Sequence, residues 1–164
     1  MIENQPPEFA WRKNHKTQFP TIVTGQYGKG RVVFFANQTD ALCFTNGHED
    51  YTEIYKNALD YVLDNHYSLA STAPRSVYVN AIQQQADPNH LAVCAINTSG
   101  TSQRPMKELV PVYDFTISVP LSGRTLVQSK TLWGDGAQVE TDGENAVIRV
   151  AKLQEFLSVE LLLK

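Results

Sequence analysis

The sequence predicts an α+β protein in which a β-hairpin and one amphipathic helix are packed beside an antiparallel, immunoglobulin-like β-sandwich. Two strand-like runs separated by Gly28 and Gly30 indicate the hairpin, and a single apolar stripe that begins after Asp50 indicates the helix. Six or seven short strand-like segments, with turn residues between them, indicate the sandwich. We therefore divide the chain into two domains, residues 1–67 and residues 68–164.

The hairpin is predicted from two short runs that are rich in β-branched and aromatic residues. The runs are Thr21–Gly25 and Arg31–Ala36, and the glycines Gly28 and Gly30 between them suit a tight turn. Residues 37–47 carry turn-forming residues at both ends. We expect this segment to be a loop.

The helix is predicted from its N-terminal capping pattern and from its apolar periodicity. Asp50 is a favourable N-cap, Glu53 follows three residues later as in a capping box, and Asn65 is an acceptable stop. The apolar residues lie on one face at helical spacing, and we expect this face to cover another surface or a partner. They are Tyr51, Ile54, Tyr55, Ala58, Leu59 and Val62.

The second half of the chain is predicted to contain only strands and turns. Residues 66–75 have little periodicity and are expected to form a linker. Alternating residues at Phe115, Ile117 and Val119 predict a strand with one buried face. Glycines on either side of Asp135 predict a hairpin turn after the strand that ends at Trp133.

Composition and charge exclude several classes of function. The chain has 14 Lys and Arg residues against 17 Asp and Glu residues, a net charge of −3, which argues against nucleic acid as a partner. No apolar run approaches the roughly 20 residues that a membrane span requires, so we expect no membrane partner. No signal peptide is visible at the N-terminus, so a cytoplasmic location is the default expectation.

Two groups of carboxylates are the candidates for acid–base chemistry. Glycosidases need two carboxyl groups roughly 5–10 Å apart, but dipole and turn chemistry account for both groups here. We therefore predict no catalytic residue in this chain. The first group surrounds the helix start and the second lies near the predicted turns: Glu49, Asp50 and Glu53, then Asp135, Glu140, Asp142 and Glu144.

The cysteines and glycines do not indicate a cofactor or a metal site. Cys43 and Cys94 lack metal-binding spacing, Cys94 lies in an apolar run that predicts a buried thiol, and whether the two pair stays open. Cys43 has His48 nearby, but no glycines mark the sharp turn that a nucleophile requires. The Gly28-Lys29-Gly30 step precedes a strand instead of a helix, so it is not a dinucleotide fingerprint.

Aromatic residues are the candidates for carbohydrate binding. Tryptophan and tyrosine combine an apolar ring with a polar tip, which suits the apolar C–H faces and the hydroxyl groups of sugars. The competing interpretation, which we favour, places Trp133 and Tyr113 in the sandwich core. The candidate sugar-binding residues are Trp133, Tyr113, Tyr78 and Trp11, with Tyr67 as a further platform.

A family resemblance rests on five segments. Three segments in this order resemble the end of a β-galactosidase trimerisation-type domain, a class with a glutamine-amidotransferase-like fold: Gly28–Phe35, Asn46–Tyr51 and Asn57–Tyr61. Leu91–Asn97, a hydrophobic strand that ends in Asn, and Phe156–Glu160 resemble strands of the small C-terminal β-sandwich of multidomain glycoside-hydrolase-like proteins. The resemblance covers most of the chain.

The resemblance implies a truncated trimerisation-type segment followed by a C-terminal sandwich, both from a larger glycosidase-like protein. In such proteins the acid–base pair lies on a barrel, so no catalytic role passes to a residue of this chain. The first hypothesis is a non-catalytic structural or oligomerisation module whose partner is an upstream domain or a second copy. The alternative hypothesis is a carbohydrate-binding sandwich that uses exposed aromatic residues.

Overall fold

The computed structural model of the chain describes residues 18–36, 38–46, 49–100, 109–134 and 136–164. The backbone falls into two compact units, Met1–Tyr67 and Ser68–Lys164. The described residues form ten strands and two helices, and the strands are arranged in three sheets. The expected α+β class is therefore wrong, because the protein is mostly β and its helical part is small.

The first unit contains the predicted hairpin and two helices in its described part. Its elements are β1 Ile22–Tyr27, β2 Gly30–Phe35, α1 Thr39–Asn46 and α2 Glu49–Leu63. The strands are antiparallel, with Ile22 opposite Phe35 and Tyr27 opposite Gly30. Gly28 has a φ of 60°, which a tight turn of this kind requires and which glycine adopts without strain.

Helix α1 occupies the segment that the sequence predicted as a loop, so that prediction is wrong. The polar residues at the start of the segment begin a helix instead of a turn. Thr39 is buried, and Asp40 lies in the first turn, where a carboxylate interacts favourably with the helix dipole. The same residue types favour turns and helix starts, so the sequence pattern alone was ambiguous.

Helix α2 confirms the predicted amphipathic helix, but it begins at Glu49, so Asp50 lies in its first turn and is not the N-cap that the sequence predicted. It ends at Leu63, and the next two residues, Asp64 and Asn65, have φ values of 54° and 60°. Left-handed residues of this kind commonly terminate helices, and Asn tolerates the conformation better than most residues. The backbone N–H of Asn65 donates to the Asp60 carbonyl at 3.1 Å, which satisfies one of the last free carbonyls.

The second unit contains eight strands in its described part. They are β3 Ala70–Ser71, β4 Val77–Gln83, β5 His90–Asn97, β6 Val112–Pro120, β7 Leu126–Trp133, β8 Ala137–Asp142, β9 Asn145–Leu153 and β10 Phe156–Leu163. They form two four-stranded antiparallel sheets, with strand orders β4-β5-β10-β7 and β3-β6-β9-β8. The predicted sandwich is present as a two-sheet arrangement.

Two details of the sandwich differ from the prediction. The expected linker at residues 66–75 contains β3, which pairs with β6 and is held there by the Ser71 hydroxyl donating to the Thr116 carbonyl at 3.0 Å. The predicted hairpin turn between Gly134 and Gly136 instead connects the two sheets, because β7 pairs with β10 whereas β8 pairs with β9. Glycine-rich turns serve both connections, so spacing alone did not distinguish them.

The core lies between the inner faces of the two sheets and is mostly aliphatic. Alternate residues of β6 are buried, as predicted, and the central strands β5, β9 and β10 supply most of the remainder. Cys94 points away from this core and is only half-buried, so the expected buried thiol is wrong. The most fully buried large side chains are Ile117, Ile148, Leu153, Leu157, Leu161, Leu163, Val93, Val150 and Val159.

None of the helices in the described ranges is both long enough and apolar enough to cross a membrane.

The inter-sheet core predicts a sharp contrast between two leucines on neighbouring strands. Leu161→Ala, at a fully buried position of β10, should lower the free energy of unfolding by about 2–5 kcal/mol. Leu132→Ala, at an exposed position of β7, should change it by about 0.5 kcal/mol or less. Urea denaturation followed by circular dichroism measures both, and equal losses would contradict the described core.

Candidate functional site

The outer face of the β3-β6-β9-β8 sheet is polar, as expected for a sandwich face in water. Arg149 on β9 lies opposite Thr116 and Gln138 on the neighbouring strands. Its Nε donates to Oε1 of Glu140 at 2.6 Å, and a second guanidinium nitrogen contacts the same oxygen. This hydrogen bond raises the pKa of Arg149 above its ordinary value, so the guanidinium stays charged.

The outer face of the β4-β5-β10-β7 sheet carries an apolar row among polar side chains. The register places Tyr78, Ile96 and Phe156 in one row across β4, β5 and β10. All three side chains are exposed, and Tyr78 is 68% exposed. Three exposed apolar residues in one row are unusual for a water-facing sheet, where polar residues normally alternate with buried ones.

A groove lies at the end of this sheet, between the end of β7 and the start of β10. It encloses about 390 Å³ and contains both aromatic and polar side chains. We call it the aromatic groove, and its main residues are Trp133, Gly134, Lys152, Gln154, Glu155 and Phe156. Trp133 is 67% exposed, so most of its ring is available to a ligand.

Gly134 holds the two sides of the aromatic groove close together. Its φ is 85°, and a Cβ atom built there would lie 2.8 Å from the Phe156 carbonyl oxygen and 3.3 Å from the Leu157 Cα. Only glycine fits so close to another backbone. The backbone segments that carry Trp133 and Phe156 therefore approach each other closely at this point.

The remaining polar groups of the same outer face contact each other. His90 Nδ1 lies 2.9 Å from Oε1 of Glu160, and its Nε2 lies 3.5 Å from Asp87. The Cys94 thiol contacts the Ser158 hydroxyl at 3.5 Å. These pairs engage part of the polar surface beside the apolar row, and the aromatic groove lies at the end of that row.

Three of the candidate carboxylates lie near the β8–β9 hairpin, and Glu140 and Asp142 both act electrostatically on Arg149. Glu140 is paired with Arg149, and Asp142 and Glu144 lie at or beside the β8–β9 turn. Within the described ranges no three His, Cys, Asp or Glu side chains are arranged to hold a metal ion. Asp135, His48 and the side chains of Cys43 and Glu49 lie outside what the structure describes.

Within the described part of the sandwich, the predicted sugar-binding aromatics lie on two different sheets. Trp133 and Tyr78 lie on the same sheet, whereas Tyr113 lies on β6 of the other sheet and is 57% exposed. Trp11 lies outside the described residues, and Tyr67 donates its hydroxyl to Asp60 in the first unit. The favoured interpretation that Trp133 and Tyr113 fill the core is therefore wrong, because both rings face water.

Phe156 is a groove residue that the sequence analysis assigned only to the last strand. Its position two residues before Ser158, on the face opposite the buried Leu157, was visible as strand alternation. What the sequence lacks is the register that places Ser158 opposite Trp133. The pairing of distant strands cannot be inferred from local alternation alone.

One face of the hairpin is covered by helix α2. The rings of Phe35 and Tyr55 lie 4.8 Å apart, and the Arg31 guanidinium lies 5.4 Å from the ring of Tyr61. Arg31 also donates to the Asp64 carboxylate at 2.7 Å, which holds the pKa of Asp64 below its usual value. The stability from this pair is present above about pH 4 and is lost as the pH falls through the lowered pKa.

The opposite face of the hairpin has no covering layer among the described residues. Strand alternation and the register place four apolar side chains on this face, and Phe34 is 61% exposed. A two-stranded sheet with apolar residues on both faces differs from the usual water-facing hairpin. We call this the bare hairpin face, and its residues are Val23, Tyr27, Val32 and Phe34.

The predicted interface stripe of α2 divides between covered and exposed positions. Tyr51, Ile54, Tyr55 and Ala58 are half-buried, on a helix that packs against β2 and α1. Leu59 and Val62 are exposed. Tyr55 thus serves the first unit itself, and the bare hairpin face is a larger apolar surface that the sequence analysis did not single out.

A polar cluster at the end of α2 involves three side chains. The Lys56 ammonium donates to Asp60 at 2.8 Å, and the Tyr67 hydroxyl donates to the other Asp60 carboxylate oxygen. The hydrogen bond from Lys56, followed by that from Tyr67, holds the pKa of Asp60 below its ordinary value. The same hydrogen bonds raise the pKa values of Lys56 and Tyr67.

Comparison with known proteins gives one structural likeness to report. No protein-family model matches the chain, and no curated protein sequence matches it significantly. The structure is similar to that of α-L-fucosidase isoenzyme 2 from Paenibacillus thiaminolyticus, with a TM-score of 0.70 and 15% sequence identity. The match covers 98% of this chain and 25% of the fucosidase chain, so this chain spans about a quarter of that protein's length. At this identity the likeness shows a shared fold.

The groove geometry predicts a difference between two glycine substitutions. Gly134→Ala and Gly143→Ala both place a side chain at a positive φ, but only at Gly134 does the added Cβ meet a backbone atom. We expect Gly134→Ala to lower the free energy of unfolding by about 3 kcal/mol and Gly143→Ala by about 1 kcal/mol. Urea denaturation measures the difference, and losses of the same size would show that the close approach is not rigid.

The polar cluster predicts an order of pKa changes. Lys56→Met should raise the pKa of Asp60 toward the ordinary value of about 3.9, because it removes the largest stabilisation of the carboxylate. Tyr67→Phe should raise it less, and the control Lys130→Met, in the other unit, should leave it unchanged. Carboxyl ¹³C shifts followed against pH measure these values. The opposite order for Lys56 and Tyr67 would contradict the assignment.

Proposed function

We propose that this chain is a non-catalytic structural and oligomerisation module of a glycoside-hydrolase-like, carbohydrate-active protein. The observation that carries the proposal is the bare hairpin face. Its apolar side chains face water although the other side of the same hairpin is covered by α2. An exposed apolar patch of this kind marks a surface that another folded unit covers.

The class of the parent protein is supported by two separate observations. The fold is shared with part of an α-L-fucosidase, a glycoside hydrolase that is about four times longer than this chain. Sequence segments such as Gly28–Phe35 and Leu91–Asn97 resemble the trimerisation-type domain and the C-terminal sandwich of glycosidase-like proteins. Both observations favour a module that works beside a catalytic domain.

The energetics of the hairpin favour docking. A two-stranded sheet is marginally stable by itself and gains stability when an apolar layer covers it. Burial of apolar surface contributes roughly 25 cal/mol per Å² removed from water. The exposed surface of Val23, Val32 and Phe34 would add to the stability of the hairpin only when the bare hairpin face is covered.

The arrangement of the acidic residues supports a non-catalytic role. Glu140 forms an ion pair with Arg149, and Asp60 and Asp64 are engaged by Lys56 and Arg31. A glycosidase requires two carboxyl groups that converge on one bond. The carboxylates of Glu140, Asp60 and Asp64 are each engaged by a cationic side chain instead.

A single substitution tests the proposed docking. Without the rest of the parent protein, the complementary apolar surface available to the bare hairpin face is the same face of a second copy. We expect light scattering to show a mass that rises above 18.4 kDa as concentration increases. Phe34→Glu places a charge in this contact and should return the chain to the monomer mass without loss of fold, because Phe34 is exposed.

Tyr113→Glu is the matched control, since it also replaces an exposed aromatic residue with a carboxylate but lies on the sandwich. It should self-associate like the unmodified chain. A folded chain that stays monomeric at every concentration would contradict the oligomerisation role, as would a Phe34→Glu variant that associates unchanged.

A further inference from the structure

We infer that the aromatic groove between Trp133 and Phe156 is a binding site for a short saccharide. The inference goes beyond the docking role, because it concerns the sandwich and a different class of ligand. Its choice of ligand rests on the proposal that the parent protein is carbohydrate-active.

The two rings leave apolar surface exposed to water, most of it on Trp133. Trp133 is 67% exposed and Phe156 is 36% exposed, while the core beneath them is filled by residues such as Leu157. Large aromatic rings contribute most when they are buried, so a tryptophan left in water at a groove wall is unusual in a folded domain. A pyranose ring, with C–H groups on one face, can pack against such a surface.

The polar groups distinguish this groove from a purely apolar docking surface. Lys152, Gln154 and Glu155 line it together with the rings, and together they offer donors and acceptors. Sugar hydroxyl groups both donate and accept hydrogen bonds, so a mixed set suits them. The presence of a carboxylate and the absence of a basic excess in the chain disfavour a nucleic-acid phosphate backbone.

The groove is preformed. Gly134 brings the backbone after Trp133 against the Phe156 carbonyl, where a Cβ atom would lie only 2.8 Å away. Loops that must become ordered on binding lose affinity, whereas a groove held by the backbone avoids that cost. The site can therefore bind a small ligand that makes few contacts.

The size of the groove and its surroundings favour a ligand of more than one sugar unit. A volume of about 390 Å³ lies at the lower end of the usual range for small-molecule sites. Tyr78 extends the apolar surface, because it lies in the same row as Phe156 with Ile96 between them. Two strand spacings separate Tyr78 from Phe156, roughly 10 Å, which exceeds the width of a single pyranose ring.

The test uses the fluorescence of Trp133. The chain has two tryptophans, so Trp11→Phe leaves Trp133 as the sole reporter. This variant is titrated with methyl α-L-fucopyranoside, lactose, cellotetraose and xylotetraose, and isothermal calorimetry provides the dissociation constants. We expect at least one of these probes to change the Trp133 emission in a saturable manner and to release or absorb heat.

Three variants locate the binding. Trp133→Ala should weaken it at least tenfold, which corresponds to about 1.4 kcal/mol, and Trp133→Tyr should restore part of the affinity because it keeps an aromatic face. Phe44→Ala is the control, since it removes a highly exposed aromatic residue of α1 that belongs to neither proposed site, and should bind like the unmodified chain. Thermal unfolding verifies that each variant is folded.

Two results would overturn the inference. One is that no probe perturbs Trp133 or gives heat, and the other is that folded Trp133→Ala binds as tightly as the unmodified chain. A chain that self-associates through the bare hairpin face but binds no saccharide would keep the docking role and lose this site. A chain that stays monomeric but binds a saccharide at Trp133 would keep this site and lose the docking role.

Discussion

The exclusion of water from between two four-stranded sheets is the constraint on which the sandwich depends. Leu157, Val159 and Leu161 on β10 are almost completely buried between the sheets. Because successive side chains of a strand point to opposite faces, the alternate residues Phe156 and Glu160 must point outward. The outer surfaces are thus a consequence of the core, and any function of this unit depends on what the outward positions carry.

The two outer faces of the sandwich carry different chemistry although they share one core. Ion pairs and hydroxyl groups on the β3-β6-β9-β8 sheet satisfy each other, as Arg149 and Glu140 show. On the other sheet the outward positions carry Tyr78, Ile96 and Phe156, with Trp133 beside them. The hairpin shows the same contrast on a smaller scale, because α2 covers one of its faces. Each unit therefore offers one apolar surface, and we assign these surfaces to docking and to saccharide binding.

Periodicity predicted the elements better than their arrangement. The strand alternation of Phe115, Ile117 and Val119 and the helical stripe of α2 are local signals, and the structure confirms both. Helix α1 was missed because Thr39 and Asp40 suit turns as well as helix starts. The connection after Trp133 was misassigned because a glycine turn carries no information about which sheet the next strand joins.

For the candidate sites too, the sequence predicted the residue types but not their arrangement. That Trp133 and Tyr78 are aromatic was visible, but their exposure depended on the register between strands, which places Trp133 opposite Ser158. The bare hairpin face escaped notice because Val32-Val33-Phe34-Phe35 is apolar at every position, and such a run is also typical of a fully buried strand. Whether such a strand is covered on both sides depends on contacts distant in the sequence.

The pairing of β1 and β2 has a further consequence for the backbone. In the described part of the chain each strand pairs only with the other, so one row of amide and carbonyl groups along each strand remains unoccupied by a neighbouring strand. An extended peptide can add to such an edge by β-augmentation, through main-chain hydrogen bonds that impose little demand on its sequence. The hairpin can thus recruit a third strand, and side-chain complementarity on its apolar face would decide which peptide is retained.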